Sequence, residues 1–482
     1  MNPAAATTLD QHPFTSWFGI DEARVRRVLA EATARGADFA DLFFQHSLGA
    51  MVQLEDGIVS SASTWVDRGV GVRVVIGEQT GYAYSESLDL APMLHAARTA
   101  AAIASGGEAV APQAVRLRPV PDRYAIDRDW EDVEVAERLP LVREAERVVR
   151  ELEPGAEKVS VYWSDSDSRV LVATSEGAAY ADRRPMGVLR LSLTASRDGK
   201  RCTGMNTLAR REGLSWFTPE RVAETCRVAV ERTRVQFDAR RPPSGEMPVV
   251  LAAGASGILL HEAIGHGLEA DFNRKGISIY ADQIGQPVAP EFVTVVDDGT
   301  IEHERGALNV DDEGTPAERT VLIENGVLRS YMYDRLSAAQ YGVPSTGSGR
   351  RQSFRHVPMP RMRCTLMEDG PHEYDELIAS VDRGIVADHF WNGSVQIGAG
   401  DFTFYVKSGW LIEKGVVTAP IKDVNIIGNG PEALRNITMA AADSVLDTGG
   451  WTCGKDGQRV PVSQGIPSVL VKSLTVGGAR GE

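Results

Sequence analysis

The segment "LLHEAIGHGLEAD", residues 259–271, places His261, Glu262 and His266 in a run that is otherwise apolar or small. Two imidazoles and a carboxylate within six positions fit a metal site with a catalytic base, or a helix with incidental polar residues. In the familiar H-E-x-x-H pattern the histidines are four apart, about 40° around a helix, and reach one ion. Here they are five apart, which on a regular α-helix separates them by about 140°. A shared ion therefore demands a π-bulge between the histidines or a break near Gly265. Gly265 and Gly267 flank His266 and make such a deformation cheap. A hydrolytic metal site also needs a third protein ligand and an open position. Glu269 and Asp271 are the local candidates, and Cys364, Cys453 and several carboxylates the distant ones. Cys453 stands in "TCGKDGQ" beside Lys455, and a nearby cation or metal would stabilise its thiolate.

Working outward, a strand at Val249–Leu251 and the turn "AAGASG" lead into this segment, and "DARRPPSGEMP" (238–248) marks a boundary before them. Beyond it, strand-turn signals dominate. Turns are expected at Asn325-Gly326 and Lys414-Gly415, a final strand in "PSVLVKSLTVGG", and short helices near 373–381 and 431–443. This half reads as a mostly antiparallel β-rich domain carrying the metal-site helix.

Upstream the pattern is helix, strands, helix, and it occurs twice. The first unit has a helix over 21–36 capped by Asp21, a hairpin at Asp56-Gly57, a second over 70–77 and 81–85, and a helix over 90–104. The second has a helix at 134–152, alternating strands, and a helix over 218–237 capped by Thr218 with Pro219 at its first turn. The stretch 106–130, with Gly106-Gly107 and three prolines, is the connector. The expected fold is α+β, with two related α/β units forming an N-terminal domain over 1–110 and a central domain over 131–240, followed by the β-rich domain over 245–482.

The chain has 482 residues, 43% hydrophobic and 24% charged, and a net charge of −15. That is about three domains' worth of length, with ample apolar content for a core. The negative balance argues against nucleic acid or an anionic membrane as a general partner. Four scattered cysteines give no disulfide framework and suit a reducing cytoplasm. "MNPAAATTLDQHPF" lacks the features of a signal peptide, and no run approaches a membrane span.

The sequence resembles the TldD/PmbA family, specifically its metal-bearing TldD-type member. The resemblance rests on "LLHEAIGHGLEADFNRKG" (259–276), "DDGT" (297–300), "DDEGTPAERTVLIENG" (311–326), "TGSGRRQSFRHVPMPRM" (346–362) and "CGKDGQRVPVSQGIPSVLVKSLTVGG" (453–478), with "LEDGIV" and "GVGVRVVIGEQTGYAYS" upstream. It implies a zinc-dependent metallopeptidase with one Zn2+ held by His261, His266 and Cys453, and Glu262 as catalytic base. It implies peptide substrates, short or unfolded, taken with little side-chain preference. The implied partner is a PmbA-type paralogue lacking the metal motif, or a second copy in a homodimer. Cys364 departs from the family pattern and receives no role. Arg350, Arg351, His356 and Arg361 are candidates for stabilising the oxyanion or binding a substrate carboxylate. Asp311-Asp312-Glu313 reads as a turn ahead of Gly314 and Pro316, or as a site for a second cation or a peptide amino group. Two competing expectations remain: an assembly partner with a structural zinc, which would have four protein ligands, and a metal-dependent hydrolase of other small amides or esters.

Overall fold

The computed structural model describes residues 9–104, 106 and 111–478; the readings of residues 1–8 and of 107–110 in the connector lie outside them. The fold is α+β, as the alternating patterns require. Asp21 caps the helix Glu22–Thr33 by accepting a hydrogen bond from the Arg24 amide at 2.7 Å. The strands that follow are longer than their turn signals suggest. We label them β1 (Phe39–Glu55), β2 (Ile58–Ile76), β3 (Gln79–Ser85), β4 (Arg116–Leu117), β5 (Ala156–Thr174), β6 (Ala178–Arg197) and β7 (Lys200–Arg210). The hairpin at Asp56-Gly57 forms with both residues at positive φ, and it joins two strands of 17 and 19 residues. The segment at 70–77 is the far end of β2 rather than a separate strand.

Both upstream units contribute to one sheet, ordered β3-β2-β1-β5-β6, with β7 on β6. The seam is β1 against β5, antiparallel from Asp41↔Thr174 to Glu55↔Ser160. The two helix-strands-helix units are thus arranged symmetrically about it.

Side-chain parity divides the sheet's functions. On β1, Ala40, Leu42 and Phe44 pack under the helices Glu22–Thr33 and Leu90–Ile103, and Val52 and Leu54 pack under Val135–Leu152 and Pro219–Asp238. All are even-numbered and face one way. The odd-numbered Asp41 and Phe43 face the C-terminal half. Phe43 packs with Val170, Val172 and Phe354. Gly69 is required there, because a Cβ would lie 2.2 Å from the Phe354 ring. Asp41 pairs with Arg73 and Arg351, and Arg73 also binds Glu313.

In the C-terminal half, Gly245–Leu251 runs parallel to Arg383–Gln396 and antiparallel to Val469–Gly478. Asp401–Glu413 and Val416–Asn429 continue the sheet, and Val416–Asn429 pairs with Val469–Gly478, so these five strands close a ring. The turns at Asn325-Gly326 and Lys414-Gly415 form as expected. The helix expected over 431–443 stops after Gly430–Arg435, and Ile437–Ala440 becomes a strand on Val469–Gly478. The β-branched Ile437 and Thr438 pack better on a pleated surface than on a helix.

Candidate metal centre

The segment 259–268 is helical throughout but regular nowhere. Ala255–Gly257 is a 3-10 turn, Leu259–Gly265 a π-helix and His266–Leu268 a second 3-10 turn. The His266 amide donates to the His261 carbonyl, an i→i+5 bond that stacks the two histidines over one turn. The deformation demanded by five-residue spacing is thus present. Gly265 has a second reason to be glycine: a Cβ would lie 2.1 Å from Met362 Sδ and 3.1 Å from the Leu260 carbonyl. The turn is sunk in the core by Leu259, Leu260, Ile264 and Leu268. Between 259 and 270, Glu262 alone is partly exposed.

The third group arrives on a hairpin. Thr452–Lys455 pairs with Gln458–Pro461 around Asp456-Gly457, both at positive φ. Exposure alternates along the first strand, so Cys453 and Lys455 share its buried face. Cys453 Sγ lies 3.5 Å from His266 Nε2. The imidazole rings of His261 and His266 are edge-to-face at 5.0 Å. One donor atom from each of His261, His266 and Cys453 lies within 4.8 Å of the others, and all three residues are buried.

The surroundings favour a thiolate at Cys453 beside a protonated His266, whose proton an incoming metal ion would displace. Burial raises the Cys453 thiol, but the imidazoles of His261 and His266 outweigh it and bring it well below its usual value. Burial opposes the His266 cation, and Glu269 and Cys453 overcome that, holding its pKa well above the ordinary one. Glu269 Oε2 holds His266 Nδ1 at 2.9 Å, leaving Nε2 toward the sulfur. Glu269 itself is fully buried. Burial would protonate it, yet Lys455, His266 and Arg361 bring it down to about 2. Lys455 Nζ reaches Glu269 at 3.0 Å and Asp271 at 2.7 Å. His261 Nδ1 is buried with no hydrogen-bond partner. Two imidazoles, one thiolate and an orphaned ring nitrogen suit a zinc ion.

Sequence reasoning left Glu269 and Asp271 as possible ligands and set Lys455 beside the thiolate. In the structure Glu269 is the partner behind His266, a common arrangement around metal-binding histidines, and Lys455 holds Glu269 while also pairing with Asp271. The Asp-Gly turn of the Cys453 hairpin was the signal that could have revealed this.

The four basic candidates scatter. Arg361 is fully buried, donates to the Cys453 carbonyl at 2.7 Å and stands 4.0 Å from Glu269 Oε1. Arg350 and Arg351 line a different cavity. His356 bonds Ser353 at 2.9 Å and lines neither that cavity nor the Glu262 cleft. The acidic run is a turn: Asp311 accepts the amides of Glu313, Thr315 and Gly349, Asp312 pairs with Arg184, and Glu313 pairs with Arg73. Cys364 is buried, which pushes its thiol up.

Glu262 and His261 open onto a cleft of about 200 Å³ walled by Trp391, Trp451, Thr452, Val462 and Gln464. A second cleft, of about 380 Å³, shares Trp391, Trp451 and Thr452 with it and extends to Arg232 and His389.

Residues 244–478 match the model of the PmbA/TldA metallopeptidase C-terminal domain, 40–104 that of domain 1 and 128–237 that of the central domain. The chain is 42% identical to the metalloprotease TldD homolog of Haemophilus influenzae, across 92% of this chain and 94% of that protein. This chain belongs to the PmbA/TldD metallopeptidase family. A Saccharolobus solfataricus relative named a zinc metalloprotease TldD homolog is 36% identical over half of this chain and 54% of its own length. The crystal structure of TldE from Thermococcus kodakarensis has the same fold, with a TM-score of 0.74 at 18% identity, covering 94% of this chain and all of that one. Among the described residues, no helix is long and apolar enough to cross a membrane.

Proposed function

We propose that this metallopeptidase is zinc-dependent and hydrolyses short or unfolded peptides with little side-chain selectivity. His261, His266 and Cys453 are the ligands and Glu262 the base. The π-turn carries this reading, because it sets two histidines five apart beside one thiolate and leaves Glu262 facing a cleft. When bound, zinc would acidify a water and polarise the scissile carbonyl. Glu262 accepts a proton in the cleft and returns it to the leaving amine. Glu269 orients His266 and fixes its tautomer. The donor group comprises three residues among those described, and Glu269 Oε2 is held by His266 and Lys455, which favours an open position over a structural four-ligand site. Low selectivity follows if the peptide is held by its backbone at a strand edge. The relation to TldE supports a metal-free paralogue as partner, with a homodimer as the alternative, and cysteines free of disulfides suit the cytoplasm.

The test is metal content and cleavage of a mixed peptide library, with and without the paralogue. Wild type should carry one zinc and cleave. Cys453→Ala should lose the metal, and Glu262→Gln should keep it and lose cleavage. Glu262→Gln turning over peptides at the wild-type rate, or a chelator without effect, would overturn the reading.

A further inference from the structure

Behind the Cys453 hairpin lies a cavity of about 330 Å³ between the odd face of the N-terminal sheet and the C-terminal half. Six arginines line it: Arg184, Arg211, Arg305, Arg350, Arg351 and Arg459. Asp312 is the sole carboxylate in its wall. Two of the six are matched within the fold, Arg184 by Asp182 and Asp312, and Arg351 by Asp41. Arg211, Arg305 and Arg350 have no carboxylate within ion-pair distance among the described residues. Arg350 donates only to the carbonyls of Met362 and Pro461. Arg305 donates to the Trp451 carbonyl at 3.0 Å and to Thr452 Oγ1 at 3.2 Å. Arg211 makes one long bond, 3.4 Å to the Pro185 carbonyl, and its Nε is buried without a partner, as is that of Arg351. Arg211, Arg350 and Arg351 are each at most 4% exposed.

A buried charge without a counter-charge is costly. The proximity of these side chains compounds it. Burial and the guanidiniums of Arg361, Arg211 and Arg184 push Arg350 down to about 9 against the pull of Asp312. Burial, with Arg211 and Arg190, pushes Arg305 down to about 10. A guanidinium keeps its proton in proteins, so these shifts measure charge the fold leaves uncompensated. Ser166, Ser168, Gln45 and Gln352 add neutral polar groups to the wall.

The cavity adjoins the Glu262 cleft. Thr452 lines both it and the Glu262 cleft, and Val460 and Pro461 wall the cavity where the next residue, Val462, walls the cleft. An anion seated among the arginines is therefore separated from Glu262 by the thickness of one hairpin. We propose that the arginine cavity is a subsite for the C-terminal carboxylate of the peptide substrate. This rests on the peptidase reading for the identity of the ligand. Guanidiniums pair with carboxylates in a forked geometry that also suits phosphate, so the anion chemistry is shared by two sources.

The experiment separates them. Full-length Glu262→Gln protein, with and without zinc, is titrated calorimetrically with a short peptide as its free acid and as its C-terminal amide. Inorganic phosphate serves as competitor. The free acid should bind at least about tenfold more tightly than the amide, and phosphate should displace the acid but not the amide. The preference should shrink severalfold in Arg305→Gln and in Arg459→Ala, the latter an exposed residue whose loss spares the core. Equal binding of acid and amide overturns the subsite. So does phosphate that raises the melting temperature without competing with the free-acid peptide, which would mark a separate anion site. Acid-selective binding in a wild-type protein that cleaves no peptide would retain the subsite and sink the peptidase reading. Cleavage with indifferent binding would do the reverse.

Discussion

On the His266 side of the Cys453 hairpin, Glu269 lies 3.0 Å from Lys455 and 2.9 Å from His266, with Arg361 beyond. On the other side, Arg211, Arg305 and Arg350 share a cavity and have no carboxylate partner of their own. Both clusters are largely buried, and one strand pair divides them. The first is closed in that every cation has a carboxylate at hand: Glu269 answers Lys455 and His266 closely and Arg361 at 4.0 Å, although Arg361 Nε and Nη1 form no hydrogen bond. Its product is a fixed imidazole and a fixed sulfur. The second is open, which is how a site looks when its counter-charge arrives with a ligand. The contrast separates charge that builds geometry from charge that waits for substrate.

The largest test strikes the closed cluster. Glu269→Gln leaves Lys455 and His266 without their shared anion; it should destabilise the fold by about 3–5 kcal/mol and weaken metal affinity by about 10–100-fold. Thermal melts and metal titration read both. A loss confined to metal affinity would mean that Asp271 alone suffices for Lys455.

Next comes acid. His389 is buried at the second cleft with Nδ1 unpartnered, and burial, Arg232 and Lys407 depress it to about 3. Its folded value lies below its unfolded value, so its contribution is present above about pH 6.5 and is lost as pH falls toward 3. By pH 5 the cost is about 2 kcal/mol. His389→Phe should flatten that part of the stability–pH curve. An unchanged slope would place the acid lability elsewhere.

The dividing hairpin should be more forgiving. Gly457, at φ 73°, has open space around it, so Gly457→Ala meets backbone strain alone, about 1 kcal/mol. The metal should stay bound; losing it would mean the turn, and not Lys455, sets the Cys453 position. The smallest effect is expected in the open cluster. Arg211→Met should change stability by less than about 1 kcal/mol, or raise it, since it removes a buried charge that has no carboxylate partner among the described residues. A loss as large as that of Glu269→Gln would erase the distinction between the clusters.

The sequence made the π deformation legible because five-residue spacing on an apolar segment allows few ways to share an ion. Helix caps at Asp21 and Thr218 and turns at Asp56-Gly57, Asn325-Gly326 and Lys414-Gly415 were legible because each is local chemistry. The shared sheet was not, because pairing Asp41 with Thr174 spans 133 residues and leaves no local trace. The cation cavity was hidden for the same reason: "GRRQSFRHVPMPRM" supplies only Arg350 and Arg351 of its six arginines, the other four arrive from positions 184, 211, 305 and 459, and Arg361 of the same stretch ends at the Cys453 carbonyl instead. Glu269 was visible as a carboxylate near the histidines, but its role depends on Lys455, which arrives 186 residues later.

The seam between β1 and β5 carries a mechanical corollary. Fifteen rungs join two segments that the family models count as separate units. Neither half can peel away without tearing the middle of the wall, so residues 39–210 should melt in one cooperative step. Amide exchange along β1 and β5 should be the last to go.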